Sequence, residues 1–331
     1  MKICIVKLSA MGDIIHAMVA LQFIKKNIPS CSIDWIVESS FKDILKNNPH
    51  IDNILTVNLK SIKTKKSEIF NQIKILNSYA KNNYDVVIDA QGLLKSAIVS
   101  RIVGNKIVGS YIAGFDNDSI REGMASWFYD KKVFISYSAN TIDRNVKVLT
   151  SPLGIKVTKE DILNKEPFLF YDKYENISDE PYNLFVIGST WESRNYPKEK
   201  FVQIANRLKI KTYIVWGSED EKSKASWMEK ESQYLHMLPK VSLDELKSIV
   251  AKCQLLIGND TGPTHMAWGL NVPSITIFGP TPVNRIYITP INKAVKSNSI
   301  VDHYKLNKKD FSICDIKATQ IVEIAKELLK C

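Results

Sequence analysis

Short runs of β-branched and other apolar residues alternate with segments of helical periodicity along nearly the whole chain. In the first half, the apolar runs predict strands at KICIVK, SIDWIVE, NILTVN, YDVVIDA and KIVGSYI, and the periodic segments predict helices at IIHAMVALQFIKKN and SEIFNQIKILNSYAKNN. Such alternation is typical of βαβ units, in which helices join parallel strands. We therefore expect a parallel sheet with helices packed against it.

A polar, proline-containing stretch at residues 160–182 interrupts the alternation and predicts a linker. Beyond it, NLFVIG, KTYIVWG, YLHML, QLLIGND and SITIFG predict a second set of strands joined by helices. A chain of 331 residues also exceeds the size at which one core usually stops growing. We expect an α/β protein with two doubly wound domains, residues 1–165 and 182–312, and a final helix in residues 313–331 that can cross back to the first domain.

The composition of the chain limits the classes of protein to which it can belong. The chain is 45% hydrophobic and 24% charged, and no apolar stretch approaches the roughly 20 residues that span a bilayer. The N-terminus reads as a strand and has none of the parts of a signal peptide, so we expect a soluble, cytoplasmic protein. The net charge of +10 indicates an anionic partner: nucleic acid, an acidic lipid surface or a phosphorylated substrate.

The cysteines are odd in number and scattered. No two have the close spacing of a zinc site or a redox pair, so we expect reduced thiols, several of them in the core. They are Cys4, Cys31, Cys253, Cys314 and Cys331.

The segment GNDTGPTHMAWGL, residues 258–270, carries the strongest local signal in the second half. Asp260 ends a strand, and Thr261 and Gly262 suit the first positions of a helix. Because ligands of doubly wound sheets bind at the carboxyl ends of strands, this helix N-terminus can bind a phosphate, with Thr261 and His265 as further donors. A structural turn capped by Asp260 or Thr261 explains the same residues.

Two more loops of the second domain end at the same sheet edge. Ser189, Thr190 and Arg194 follow NLFVIG, and Glu221 follows KTYIVWG. Hydroxyls and a guanidinium suit a diphosphate, and a glutamate suits sugar or ribose hydroxyls. Each alone can be a solvated loop residue, but together they favour a nucleotide-diphosphate site.

Asp13 lies at the corresponding turn of the first domain, in SAMGDIIHAM. The glycine-rich dinucleotide fingerprint and the P-loop lysine motif are both missing there, which argues against a reductase or a kinase. Asp13 can be the N-cap of the following helix or a general base that takes a proton from an acceptor hydroxyl. One base suffices when a nucleotide diphosphate leaves, because phosphate oxygens are already weak bases.

Four stretches together resemble the lipopolysaccharide heptosyltransferases: MKICIVKLSAMGDIIHAMVAL, IDAQGLLKSA, SIREGMASWFYDKK and GNDTGPTHMAWGLNVPSITIFGPTPVNR. The resemblance runs through nearly the whole chain, and D-T-G-x-x-H followed by a strand and G-P-T is its most specific part. The AQG-L-KSA segment with SxMGD favours the members that add the first heptose over those that add the second.

The resemblance implies a GT-B fold, with two Rossmann-like doubly wound domains facing a central cleft. It also implies inverting transfer of L-glycero-D-manno-heptose from ADP-heptose to the first Kdo of Kdo₂-lipid A, without a metal or other cofactor. The expected location is peripheral, on the anionic cytoplasmic face of the inner membrane.

The resemblance assigns roles to individual residues. Asp13 matches the catalytic base proposed for the family. The donor positions fall on Ser189, Thr190, Arg194, Glu221, Val241, Asp260, Thr261, Gly262 and His265. Ser189 stands where threonine is usual, and Arg194 stands where lysine is usual; the guanidinium adds a bidentate grip on phosphate. Candidate cations for the Kdo carboxylate and the lipid A phosphates are Lys60, Lys63, Lys95, Arg121 and Arg144.

Asp116-Asn117-Asp118 spells the D-x-D metal signature of another glycosyltransferase class. Its stretch, GFDNDSIRE, reads as the start of a helix capped by Asp118 or Ser119, so we expect no metal there. A transferase for another nucleotide sugar or a later core acceptor remains an alternative, as does a non-catalytic nucleotide-sugar or nucleic-acid binding protein. Nucleic acid is disfavoured, because aromatic and basic residues do not interleave on a sheet face.

Overall fold

The computed structural model describes residues 1–104, 106–177 and 180–330. The chain divides into two compact units, Met1–Phe170 (unit 1) and Tyr171–Cys331 (unit 2). The boundary between the units lies within the stretch that the sequence predicts as a linker.

Unit 1 contains, among its described residues, a parallel sheet of six strands in the order β3-β2-β1-β4-β5-β6. The strands are β1 (Lys2–Val6), β2 (Ser32–Glu38), β3 (Asn53–Val57), β4 (Val86–Asp89), β5 (Tyr111–Phe115) and β6 (Lys131–Val133). The helices are α1 (Met11–Met18), α2 (Ala20–Asn27), α3 (Lys42–Leu45), α4 (Ser61–Thr64), α5 (Glu68–Ala80), α6 (Leu94–Val103), α7 (Thr141–Thr150) and α8 (Lys159–Leu163). Short 3-10 helices lie at Ser39–Phe41, Asn117–Ser119, Gly123–Phe128 and Ser151–Leu153.

Unit 2 repeats this plan in the part that the structure describes, with six parallel strands in the order β12-β11-β10-β7-β8-β9. The strands are β7 (Asn183–Val186), β8 (Thr212–Val215), β9 (Leu235–Met237), β10 (Leu255–Asn259), β11 (Ser274–Phe278) and β12 (Asn292–Lys296). The helices are α9 (Lys198–Leu208), α10 (Glu219–Glu231), α11 (Leu243–Lys252), α12 (Gly262–Gly269) and α13 (Ala318–Leu328). Short 3-10 helices lie at Glu192–Arg194, Val283–Arg285 and Ser312–Asp315.

Both strand orders are the Rossmann order, in which the sheet is built outward in two directions from its first strand. The central strands β1, β4, β7 and β10 are buried almost throughout, because helices cover both faces of a parallel sheet. The α/β, doubly wound prediction is therefore confirmed. The order also fixes a switch point in each unit, between β1 and β4 and between β7 and β10.

The final helix differs from the sequence expectation that it crosses back to the first domain. Helix α13 belongs to unit 2 and packs against α9 and β11. Its apolar residues Ile321, Val322, Ala325 and Leu328 are buried in the core cluster that also contains Phe201 of α9. The apolar residues of α13 are therefore buried within unit 2.

Two predicted elements of unit 1 lie elsewhere in the structure. The strand predicted at KIVGSYI begins only at Tyr111, because Gly109 adopts a left-handed conformation (φ 85°) that turns the chain and leaves Val108 fully exposed. The helix predicted to open in GFDNDSIRE is the 3-10 helix Asn117–Ser119, and its N-cap is Asp116 instead of Asp118 or Ser119. The Asp116 carboxylate accepts the backbone N–H of Ser119 at 2.9 Å.

No helix in the described part of the chain is long and apolar enough to cross a membrane. Cys4, Cys31 and Cys253 are buried free thiols, and Cys314 is an exposed one. Cys331 lies outside the described residues.

Candidate functional site

The candidate residues of each unit gather at its switch point. In unit 1 the loop after β1 leads to Asp13, and the loop after β4 contains Gln91. In unit 2 the loop after β7 contains Ser189 and Arg194, and the loop after β10 contains Asp260. Ligands of open α/β sheets bind at these positions, because the loops diverge there and leave a crevice beyond the strand ends.

Asp13 is the third residue of α1, which begins at Met11. The sequence expectation that Asp13 is the N-cap is therefore displaced by three residues: the N-cap is Ala10, and the Asp13 carboxylate accepts the Ala10 N–H at 3.3 Å. A carboxylate in the first turn also interacts favourably with the helix dipole. Asp13 is only partly buried, so its side chain is held by the helix and still meets solvent.

Gln91 fixes the loop that leads to Asp13. Its side-chain oxygen accepts the backbone N–H groups of Leu8 and Ser9, both at 3.1 Å. Gln91 is in turn held by Asp89, whose carboxylate accepts the Gln91 N–H at 2.8 Å and the Tyr129 hydroxyl at 2.7 Å. These bonds run from the end of β4 to the end of β1 and set the entry to α1.

Gly92, in the same loop, has no room for a side chain. Its φ is 68°, and a Cβ would lie 2.6 Å from Cγ2 of Ile120. This explains the glycine in the motif IDAQGLLKSA. The chain passes close to Ile120 at this position, and the Asp89 carboxylate accepts the Gly92 N–H at 3.2 Å.

Lys7 is a buried cation beneath this loop. Its ammonium donates to the carbonyl of Ala90 at 2.7 Å, and the residue is 5% exposed. Burial lowers the pKa of Lys7, and the nearby carboxylates of Asp13 and Asp89 oppose that shift. Lys7 therefore lies close enough to interact with both carboxylates.

Glu38, at the carboxyl end of β2, lies among candidate acceptor cations. Burial raises its pKa, while Lys60, Lys95 and the N–H groups of Leu59 and Lys60 oppose the rise. One carboxylate oxygen, Oε1, is buried with no hydrogen-bond partner among the described residues. The structure thus brings Lys60 and Lys95 to one carboxylate.

The other acceptor candidates have different surroundings. Lys63 is exposed in α4, and Arg121 is exposed between two 3-10 helices. The Arg144 guanidinium donates to the carbonyls of Ser119 and Ser136 at 2.7 and 2.9 Å and lies over two aromatic rings. Arg144 thus has a structural task in addition to its predicted one, and all five assignments stay predictions.

The helix N-terminus predicted in unit 2 is confirmed. Thr261 is the N-cap of α12, and Pro263 lies in the first turn. The Thr261 side chain makes no capping hydrogen bond, so its hydroxyl and the N–H of Gly262 remain at the helix end. Unsatisfied N–H groups and the helix dipole favour an anion at this position.

Asp260, beside this terminus, is the centre of a cationic cluster. It is 1% exposed and accepts from Nη2 of Arg194 at 3.0 Å and from the Thr281 hydroxyl at 2.8 Å. His265 Nε2 lies 3.2 Å from Oδ1, and Arg285 Nε lies 3.8 Å from Oδ2. Burial alone would raise the pKa of Asp260, but Arg285, His265 and Arg194 outweigh it and hold this pKa well below its usual range.

Asp260 is thus a counter-ion as well as a strand-end residue. One carboxylate faces two guanidinium groups, so the cluster keeps positive charge even when His265 is neutral. Excess positive charge next to a helix N-terminus suits a phosphate or diphosphate.

The remaining donor candidates lie in the loops around this cluster. Ser189 Oγ is buried and has no hydrogen-bond partner among the described residues, and Thr190 next to it is exposed. Glu221 accepts the Gly217 N–H at 2.7 Å, and a Cβ on Gly188 would collide with the Glu221 carboxylate. Gly188 therefore lets the β7 loop approach Glu221. Val241, partly exposed, precedes the N-cap of α11.

Sequence reasoning missed five polar residues at these strand ends: Lys7, Glu38, Gln91, Thr281 and Arg285. Lys7, Gln91, Thr281 and Arg285 stand inside the quoted motifs, so the motif itself was a signal. For metal binding, residues 1–104, 106–177 and 180–330 hold no group of three or more His, Cys, Asp or Glu side chains arranged around a metal site. The absence of a metal or other cofactor from the reaction stays a prediction.

The chain is similar over most of its length to known glycosyltransferases. Residues 73–315 match the family model of glycosyltransferase family 9 (heptosyltransferase). The chain is 37% identical to lipopolysaccharide heptosyltransferase 1 of Campylobacter coli, over 99% of both chains. It is 30% identical to the lipopolysaccharide heptosyltransferase 1 of Escherichia coli K12, over 85% of this chain and 88% of that protein.

Solved structures show the same fold at lower identity. The Escherichia coli heptosyltransferase WaaC, solved with ADP, superposes with a TM-score of 0.82 at 24% identity, covering 99% of this chain and all of that one. Heptosyltransferase II of the same organism superposes with a TM-score of 0.74 at 19% identity, covering 100% of this chain and 99% of that one. These likenesses support the GT-B assignment of the fold.

Proposed function

The chain belongs to glycosyltransferase family 9, the heptosyltransferases, and we propose that it is the lipopolysaccharide heptosyltransferase that adds the first heptose of the inner core. The donor is ADP-heptose and the acceptor is the Kdo of Kdo₂-lipid A. The observation that carries this proposal is the end-to-end identity of 37% with a lipopolysaccharide heptosyltransferase 1.

Unit 2 binds the donor in this proposal. The diphosphate lies at the N-terminus of α12, where Gly262 N–H, Thr261 and Arg194 donate to its oxygens. Ser189 and Thr190 add hydroxyl donors, and Glu221 accepts from the ribose hydroxyls. Asp260 holds Arg194 in place through one carboxylate oxygen, and His265 lies beside the other. A charge-assisted hydrogen bond from arginine to phosphate contributes about 1.5–3 kcal/mol, so Arg194 is the largest single side-chain contribution.

Unit 1 binds the acceptor and supplies the base. The Asp13 carboxylate takes the proton of the attacking Kdo hydroxyl as that oxygen bonds to the anomeric carbon of heptose. The bond from this carbon to the diphosphate breaks on the opposite side, which inverts the configuration, and ADP leaves with the electron pair. The positive groups around Asp260 stabilise the ADP charge, so no second carboxyl group has to protonate the leaving oxygen.

The acceptor carries a carboxylate and phosphates, and unit 1 offers cations for both. Lys60 and Lys95 lie near the Glu38 carboxylate, and Lys63, Arg121 and Arg144 complete the set. Because lipid A is anchored in a bilayer, the enzyme works as a peripheral protein on the cytoplasmic face of the inner membrane.

Product mass spectrometry tests the proposal. Purified protein is incubated with Kdo₂-lipid A dispersed in detergent in three parallel reactions. These contain ADP-heptose, ADP-glucose or UDP-glucose as the donor. We expect a product one heptose heavier than the acceptor with ADP-heptose alone. A product with another nucleotide sugar would reassign the donor, and no product with any of them would favour a non-catalytic binding protein.

A further inference from the structure

Unit 1 exposes large apolar side chains on one helical layer. Helix α6 packs against α5 on one side and against the 3-10 helix Gly123–Phe128 on the other, so these three elements form one continuous surface. Phe70 of α5 is 76% exposed and Trp127 of the 3-10 helix is 74% exposed. We define the apolar face as this surface with its exposed side chains Ile69, Phe70, Ile73, Ile98, Met124 and Trp127.

A large part of each of these side chains lies outside the core of unit 1. The inward side of the same layer is complete, because Leu76, Ala97 and Ala125 are buried in the core cluster of unit 1. Phe70 and Ile73 lie about one helical turn apart on α5, and both are exposed while Leu76, one turn further on, is buried. Contiguous exposed apolar side chains rimmed by polar ones are typical of interaction surfaces.

The rim of the apolar face is cationic. Residues 60–66 contain four lysines and no acid, and α5 adds Lys74. Helix α6 contributes Lys95 and Arg101, both exposed. The nearby acids are already engaged: Glu68 pairs with Lys65, and Glu122 accepts the Leu94 N–H.

The charge of the whole chain is biased in the same direction. Unit 1 carries 23 basic and 16 acidic residues, against 22 and 19 in unit 2. Most of the net positive charge therefore belongs to the unit that bears the apolar face. An apolar centre with a lysine rim matches an anionic bilayer, in which acyl chains lie beneath negative headgroups.

We propose that the apolar face docks unit 1 on an anionic lipid bilayer, with Phe70 and Trp127 entering the acyl boundary and the surrounding lysines contacting headgroups. The biological reason rests on the proposed function, since the acceptor is a lipid. Lys95 is the second residue of α6, which follows the carboxyl end of β4, so the same layer carries a candidate acceptor cation beside the sheet edge that holds Asp13. Docking would present lipid headgroups to that edge.

Vesicle co-sedimentation tests the apolar part of the surface. The full chain is mixed with phosphatidylcholine vesicles containing phosphatidylglycerol and no acceptor. We expect Phe70→Ser and Trp127→Ser each to lower the partition coefficient about tenfold, since insertion of a large aromatic side chain is lost. Phe311→Ser, at an aromatic residue of unit 2 that is 49% exposed, is the matched control and should bind like the wild type.

Charge variants separate the rim from the centre. Lys66→Gln with Lys74→Gln should lower binding about fivefold per lysine on the anionic vesicles and little on pure phosphatidylcholine. Phe70→Ser should lower binding on both. Lys326→Gln on α13 with Lys330→Gln just beyond its end, both in unit 2, is the control pair for a general loss of charge.

Two results would overturn the inference. One is vesicle binding by Phe70→Ser and Trp127→Ser equal to that of Phe311→Ser. The other is a wild type that does not bind vesicles but dimerises in sedimentation, with Phe70→Ser monomeric, which would make the apolar face an interface between copies. Heptose transfer to detergent-dispersed acceptor is measured in parallel. A failure of that transfer refutes the proposed function, whereas vesicle binding without acceptor tests only the apolar face.

Discussion

The substitution Asp260→Asn removes one charge from the centre of the donor cluster and leaves the shape of the side chain unchanged. Asp260 is fully buried, and its carboxylate is hydrogen-bonded to Arg194 and Thr281. The Arg194 side chain is itself only 11% exposed. Without the carboxylate, the buried guanidinium loses a counter-charge that lies 3.0 Å away.

The magnitude follows from that burial. Removing one partner of a buried ion pair costs about 3–5 kcal/mol, because the other charge is left uncompensated. The Arg285 side chain is 34% exposed and lies farther away, so water can solvate it. We therefore expect a loss near the lower end, about 3 kcal/mol. For a domain of about 150–250 residues this corresponds to a fall in Tm of about 6–12 °C.

The assay is urea unfolding at pH 7, with Tm from thermal melts as a second measurement. Asp220→Asn is the control, since Asp220 lies 2.6 Å from Lys224 but is 72% exposed, and such exposed pairs contribute about 0.3–0.5 kcal/mol. Arg194→Met in the Asp260→Asn background should lose less than the sum of the single losses, because the uncompensated charge is gone. A loss below about 1 kcal/mol for Asp260→Asn would refute the buried counter-ion.

Three further predictions concern other groups. Arg194→Gln should weaken ADP binding about 10- to 100-fold in calorimetry, because a charge-assisted phosphate bond is lost, and an unchanged Kd would exclude Arg194 from the donor site. Gln91→Met should lower kcat about tenfold or more while leaving the ADP Kd unchanged, because the loop before Asp13 loses its acceptor; equal losses in both would point to general unfolding. Lys165→Met should flatten the pH dependence of stability. Burial lowers the pKa of Lys165 to about 7, so only the unfolded chain holds this proton between pH 7 and 10, and stability rises with pH by up to about 1.4 kcal/mol per unit. Urea unfolding at pH 7, 8 and 9 measures the difference in slope between wild type and variant, and equal slopes would contradict it.

The strands that the sequence predicts well are those whose apolar runs are bounded by polar residues. SIDWIVE coincides with β2, Ser32–Glu38. The edge strands β6 and β12 each contain two lysines, at the start of KKV and at the second and last positions of NKAVK, and no apolar run distinguishes them. Lysine is common on edge strands because it discourages pairing with another chain. The lysines that discourage pairing of these edge strands therefore also make the strands hard to predict from the sequence.

The position of Asp13 at the end of the first strand is predictable because strand, loop and helix are local. The sequence does not predict that Asp13 is the third residue of α1 and not its N-cap, because Met11 and Gly12 carry no helix-start signal. The contacts of Gln91 join residues about 80 positions apart, and the Asp260–Thr281 bond joins two different strand ends. Only the folded sheet brings such pairs together.

The transfer rate of Asp13→Asn tests the central claim most directly. Heptose transfer from ADP-heptose to Kdo₂-lipid A is measured for wild type and variant at saturating substrates, with ADP affinity measured on both. The variant keeps a side chain of the same size but cannot accept the proton. We predict a fall in kcat of about 10²- to 10⁴-fold with ADP affinity unchanged. A variant that transfers heptose at the wild-type rate would contradict the assignment of Asp13 as the base.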